Sequence, residues 1–168
     1  MAKGEKENAI TMMTRLSDLL RRTLELPKKD LVTLEEELSL IRLYLDIQEV
    51  RFKDRLKISY QIDNKTYPAK IPVFILQPII ENAIVHGIEP YSDSGVLAIS
   101  AGIHDNRLEL RVEDDGAGIP KNFFREGIGL NNIRSRLKNY FKSDYTFVLE
   151  SRQPKGTNAI LNLPLIYN

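Results

Sequence analysis

The chain has 168 residues, a formal net charge of +1, 42% hydrophobic and 28% charged residues, and no cysteine. That length accommodates one compact domain plus an appendage. The near-neutral charge excludes a general electrostatic grip on nucleic acid or anionic lipid, and the missing thiols exclude disulfides, cysteine metal sites and thiol chemistry. No apolar run approaches the ~18 residues that cross a bilayer, and the charged opening stretch has no apolar segment behind it, unlike a signal peptide. These features predict a soluble, cytoplasmic polypeptide.

Residues 1–8 read as a foreign tag or a disordered start. Residues 9–25 place Ile10, Met13, Leu16, Leu19, Leu20 and Leu24 at spacings of three and four, which predicts a helix. Pro27 breaks it, because proline has no backbone N–H to donate. Thr33 and Glu36 have the spacing of a capping box that opens a second helix. Its apolar face runs through Leu34, Leu38, Ile41, Leu45 and Val50. Residues 9–55 therefore read as a helical hairpin. Such a hairpin cannot bury itself alone, so its partner is either the rest of the chain or a second copy.

The period changes at Leu56. Residues 56–62 alternate as a half-buried strand does, and 63–66 are a turn. The apolar stretch 71–88 reads as a helix with Pro72 at a first helical position and Pro78 marking a kink or a restart. Strands at 96–104 and 107–113 flank Asp105-Asn106 as a hairpin. A glycine-containing loop covers 114–126, and a helix follows at 129–141. Strands at 145–151 and 158–163, divided by Pro154-Lys155-Gly156, close the chain. Grouped strands with few helices predict an α+β sandwich, a mostly antiparallel sheet covered on one face.

Three segments carry polar chemistry. Asn82 and His86 are four apart and share a helical face, where an amide oxygen can ligate Mg²⁺; the plainer reading is a polar helix end and a surface histidine. Asp115-Gly116-Ala117-Gly118-Ile119 follows a strand. A carboxylate there can accept from an exocyclic amine and a water, and the glycines admit a close ligand; the plainer reading is a tight turn. Gly127-Ile128-Gly129-Leu130 opens a helix, whose free amides bind phosphate; the plainer reading is a hinge. In one domain these are a cation ligand, an amine acceptor and a phosphate-binding helix start, the parts of an ATP site. Thr157, after Gly156, can complete the base pocket.

Residues 82–163 resemble the ATP-binding domain of the GHKL superfamily of histidine kinases, gyrase-type ATPases and Hsp90-type chaperones. Within it they are most similar to LytS-type sensor histidine kinases. The motifs are Leu76-Gln77-Pro78-Ile79-Ile80-Glu81-Asn82-Ala83 with Val85-His86-Gly87, Asp115-Gly116-Ala117-Gly118, and Gly127 to Leu137. Upstream, Thr33-Leu34-Glu35-Glu36-Glu37 and Tyr44-Leu45-Asp46-Ile47-Gln48 resemble the segment that precedes the ATP domain in that subfamily.

The resemblance implies a two-layer Bergerat sandwich at 56–168, behind a partial dimerisation region at 9–55, with ATP and Mg²⁺ as cofactors. By position, Asn82 would hold Mg²⁺ and His86 would line the pocket near phosphate or ribose. Asp115 would read the adenine amine, with Thr157 supporting it through water. Gly116, Gly118, Gly127 and Gly129 would shape the lid and phosphate contacts, and Ile119 and Leu130 complete the nucleotide-binding set. Residues 119–128 would be the lid, with Phe123 and Phe124 either sealing it over the base or, as paired aromatics at a loop end usually do, packed down. Implied partners are a response regulator and a second copy through the N-terminal helices, with no nucleic acid; the full-length parent would be anchored in a membrane.

Two departures qualify the resemblance. The subfamily's phosphoacceptor motif is absent, and the two histidines of the chain are His86 and His104. The expectation is a C-terminal fragment that does not phosphorylate itself. Where gyrase-type ATPases carry a glutamate base, this chain has Pro78, and Glu81 points about 100° around the helix from Asn82. That argues against efficient stand-alone ATP hydrolysis. The same fold also serves serine kinases of the anti-sigma type and degenerate modules used only for binding or dimerisation; the hairpin argues against the first, Asn82 and Asp115 against the second.

Overall fold

The computed structural model describes residues 2–25, 29–90, 94–119 and 127–167. Helix α1 (Ala2–Glu25) lies along helix α2 (Leu34–Phe52). Arg15 Nη1 donates to the Asp46 carbonyl at 3.2 Å, and Arg22 Nη1 donates to Ser39 Oγ at 2.6 Å. The expected hairpin is present, its first helix starting earlier than expected, and the Pro27 break lies outside the described residues. Ile10, Met13, Leu16, Leu20 and Leu24 remain exposed on α1.

The start of α2 follows from its sequence. Glu36 N donates to Thr33 Oγ1 at 3.1 Å, and Thr33 N donates to Glu36 Oε2 at 2.8 Å. This reciprocal cap is worth about 1 kcal/mol. Leu34, Leu38, Ile41, Leu45 and Phe52 then enter the same core as the sheet. Val50, expected on that face, is exposed, and Phe52 ends the buried row instead.

Strands β1 (Leu31–Thr33) and β3 (Lys70–Pro72) pair antiparallel, with Leu31 opposite Pro72. Pro72 is therefore in a strand, not at a helix start. The partner strand is remote in sequence, so local periodicity could not show it. Helix α3 (Gln77–Asn82) begins at Pro78's own turn, which is the restart alternative, and continues as a π-helical turn at Ala83–Ile88.

The main sheet comprises β2 (Leu56–Ile62), β4 (Gly95–His104), β5 (Arg107–Asp114), β6 (Thr146–Ser151) and β7 (Thr157–Pro164). Their order is β2-β4-β5-β7-β6, with β2 and β4 parallel and the other pairs antiparallel. Asp105 and Asn106 turn the β4–β5 hairpin with φ of 48° and 59°, the two positive values that a type I′ turn requires. Helices α2, α3 and α4 (Ile128–Phe141) supply the second layer. Ile80, Ile84, Ile133 and Leu137 bury against Leu97, Ile99, Leu110 and Leu161. The molecule is a mixed α+β two-layer sandwich with an N-terminal helical hairpin.

Candidate functional site

A cavity of about 510 Å³ opens between α3, the sheet and the start of α4. That volume suits a nucleotide-sized ligand. Its apolar floor is Val112, Leu149 and Ala159, and Ile79, Ala83 and Leu130 come from the helices. Asn82 and His86 both line it, because the π-helical turn leaves them on one side. Gly118, Ile119, Gly127 and Thr157 complete the expected residues that reach it.

The carboxylate in this cavity belongs to Asp114, not to Asp115. Alternation decides the matter. Leu108, Leu110, Val112 and Asp114 form the inward row of β5, and the next residue leaves that row. Asp114 is 2% exposed. Its Oδ1 accepts the Gly116 amide at 2.9 Å, and it also accepts from the hydroxyl and backbone N–H of Thr157. Burial pushes its pKa up, against the pull of those hydrogen bonds. Asp115 does not line the cavity: its Oδ1 accepts from Val96 N at 2.7 Å, and its own amide donates to the Val96 carbonyl at 3.3 Å. It fastens the first residues of β4.

Two of the expected glycines also act behind the cavity rather than in it. A Cβ on Gly116 would stand 2.1 Å from the Gly87 carbonyl oxygen, and Ala117 N donates to that same oxygen at 2.9 Å. A Cβ on Gly129 would stand 3.3 Å from Pro78 Cβ, so this glycine sets the approach of α4 to α3. Gly118, with φ of +76°, and Gly156, with φ of +104°, do need the left-handed region. A Cβ on Gly156 would stand 2.0 Å from the Asp114 carbonyl oxygen.

Gly127 caps α4 with no side-chain hydrogen bond, so first-turn amides of that helix lie at the cavity rim. Most of the expected lid, including Phe123 and Phe124, lies outside the described residues. A larger groove of about 1030 Å³ runs between α1 and α2. Its cations are held internally, Lys29 by Glu36 at 2.6 Å and Arg21 by Asp18 at 2.9 Å.

Comparison with known proteins follows the same division. A family model described as "Histidine kinase" matches residues 1–56. One described as "Histidine kinase-, DNA gyrase B-, and HSP90-like ATPase" matches residues 70–166. The chain is 35% identical to the sensor histidine kinase YesM of Bacillus subtilis, over 98% of this chain and 29% of that protein. It is 28% identical to the sensor protein LytS of Oceanobacillus iheyensis, over 98% of this chain and 30% of that protein. The chain thus spans under a third of the length of these relatives. Histidine kinase ThkA, solved in complex with response regulator TrrA, shares the fold with a TM-score of 0.60 at 16% identity, covering 94% of this chain and 49% of that one. The inward Asp114, the cavity-lining Asn82 and the family match over 70–166 lead to one conclusion: the chain belongs to the histidine kinase-, DNA gyrase B- and HSP90-like ATPase family.

Proposed function

We propose that this chain is the ATP-binding catalytic part of a two-component sensor histidine kinase. The observation that carries the reading is the cavity in which buried Asp114, Asn82 and the Gly127 helix start meet. Asp114 offers an acceptor to the adenine amine, with Thr157 beside it. The apolar floor takes the purine, and the amides of the first turn of α4 face the phosphates.

The donor set fits an Mg²⁺ that arrives with phosphates. Among the described residues no group of three His, Asp or Glu is placed to hold a metal ion, so no all-protein cage is available there. Asn82 supplies one amide oxygen, and a nucleotide's phosphates and water would supply the rest. Bound there, the ion would neutralise phosphate charge. The chain's own contribution is positioning and dipoles. Pro78 has no base to offer, and Glu81 accepts from Gln77 Nε2 at 2.8 Å without lining the cavity. Slow ATP hydrolysis is the expectation.

His86 lines the nucleotide cavity and His104 ends β4. We assign neither as phosphoacceptor. The acceptor histidine would be supplied by the remainder of the parent protein, so this chain alone would not phosphorylate itself. The partner would be a response regulator, as the ThkA complex shows for that kinase. The exposed α1 stripe would pair with a second copy. No described helix is long and apolar enough to cross a membrane; an anchor, in this reading, belongs to the parent.

Calorimetric titration of Mg-ADP into the chain tests the proposal. Saturable one-site binding is expected. No binding at millimolar ADP overturns it.

A further inference from the structure

Helix α3, which ends in Asn82, starts without a cap of its own. Its N-cap Leu76 makes no side-chain hydrogen bond, and such a start leaves amides to be satisfied from elsewhere. A carboxylate from α2 satisfies them. Glu37 Oε2 accepts from Phe74 N at 2.9 Å, and Oε1 accepts from Leu76 N at 3.0 Å. The amides of Ile75 and Gln77 turn to the same group. Glu37 is 0% exposed.

The turn held this way is strained. Phe74 has φ of 55°, a conformation costly for an aromatic residue and kept only where its surroundings enforce it. α4 holds the turn from the other side, where Arg136 Nη1 donates to the Val73 carbonyl. A buried carboxylate is expensive and is matched here by convergent amides. Its effect is to fix where α3 begins.

We propose that Glu37 is a positioning residue for the nucleotide site: by capping α3 from α2, it sets Asn82 at the depth where its amide meets the metal–phosphate group. α1 is bonded to the same α2 through Arg15 and Arg22. A movement of α1 therefore has a route to Asn82 through α2, Glu37 and the turn at residues 73–76. This inference rests on the nucleotide reading above.

The test is the ratio of ADP affinity with Mg²⁺ to ADP affinity in chelator, measured by calorimetry on wild type and Glu37→Gln. A variant that is merely less stable keeps the wild-type ratio. We expect Glu37→Gln to fold by circular dichroism, to bind metal-free ADP as wild type does, and to lose about tenfold in Mg-ADP affinity. An unchanged ratio overturns the positioning role, whether both affinities fall together or neither moves. If Glu37→Gln does not fold, Arg136→Ala releases the same turn from its accessible side; a selective loss with Mg²⁺ supports the proposal, and an unchanged ratio overturns it. Wild type that binds no ADP removes the nucleotide reading itself, and this inference with it.

Discussion

A Cβ placed on Gly87 would stand 2.9 Å from Oδ1 of Asp114 and 3.2 Å from its Cγ. The missing side chain at 87 is what lets the carboxylate sit against the π-helical turn. Gly87→Ala should displace the carboxylate, because the obstructed atoms belong to a side chain and not to the backbone. The expected result is a folded protein with Mg-ADP affinity reduced on the order of tenfold. Gly116→Ala should behave differently. There the added carbon meets the Gly87 backbone at 2.1 Å, so the loss should appear as a lowered melting temperature. Calorimetry and thermal melts of the two variants distinguish a displaced acceptor from a broken contact.

Asp114 and Asp115 are neighbours with separate tasks, and substitution separates them. Asp114→Asn replaces the cavity's acceptor with a group that presents a donor as readily. A charged hydrogen-bond partner contributes about 1.5–3 kcal/mol, so nucleotide affinity should fall by at least about tenfold. Asp115→Asn keeps a carbonyl for Val96 N and should bind ADP as wild type does. The reverse pattern would return the adenine-reading role to residue 115.

The sequence made the fold and the site largely legible, and its failures have identifiable causes. Hairpins with turn residues such as Asp105-Asn106, and the Thr33–Glu36 cap, are local, so spacing alone reports them. β1 and β3 are each three residues long and find one another only in the folded chain, which is why Pro72 reads as a helix start. The glycine motif points to Asp115, whereas the structure turns Asp114 into the cavity. The alternation Leu108, Leu110, Val112 was visible, and continued by two residues it reaches Asp114. The glycine motif and the strand's own period thus point to neighbouring residues. Glu37 belongs to the upstream motif, but nothing in the sequence marks it as buried, since a glutamate in the first turns of a helix usually faces water.

Asp114 also carries a pH signature. Burial raises its pKa above the ordinary 3.8. The native state therefore keeps a proton over a range where the unfolded chain has released it. Stability from this group is present below about 3.8 and is lost as pH rises through the folded value. Asparagine does not titrate. The melting temperature of Asp114→Asn minus that of wild type should become more positive as pH rises above about 3.8. Glu37, raised by burial too, is present in both proteins and cancels in the difference. A flat or falling difference would show that Asp114 is ionised at little cost in the native protein.

The exposed stripe on α1 makes a prediction about assembly. Met13 is 69% exposed, Leu20 56% and Leu24 75%, while Arg15 and Arg22 bond α1 to α2. α1 thus has an inner face engaged within the chain and an outer apolar face with helical spacing. Burial of such a face yields roughly 25 cal/mol for each Å² removed from water, and a parallel stripe on a second copy would supply the matching surface. Sedimentation should show wild type as a dimer at micromolar concentration, and Leu16→Glu combined with Leu20→Glu as a monomer. The double variant should bind Mg-ADP unchanged, because neither residue approaches the cavity. A wild type that stays monomeric at every concentration would assign the stripe to some other surface, whereas a double variant that loses nucleotide binding would mean that α1 supports the cavity from a distance.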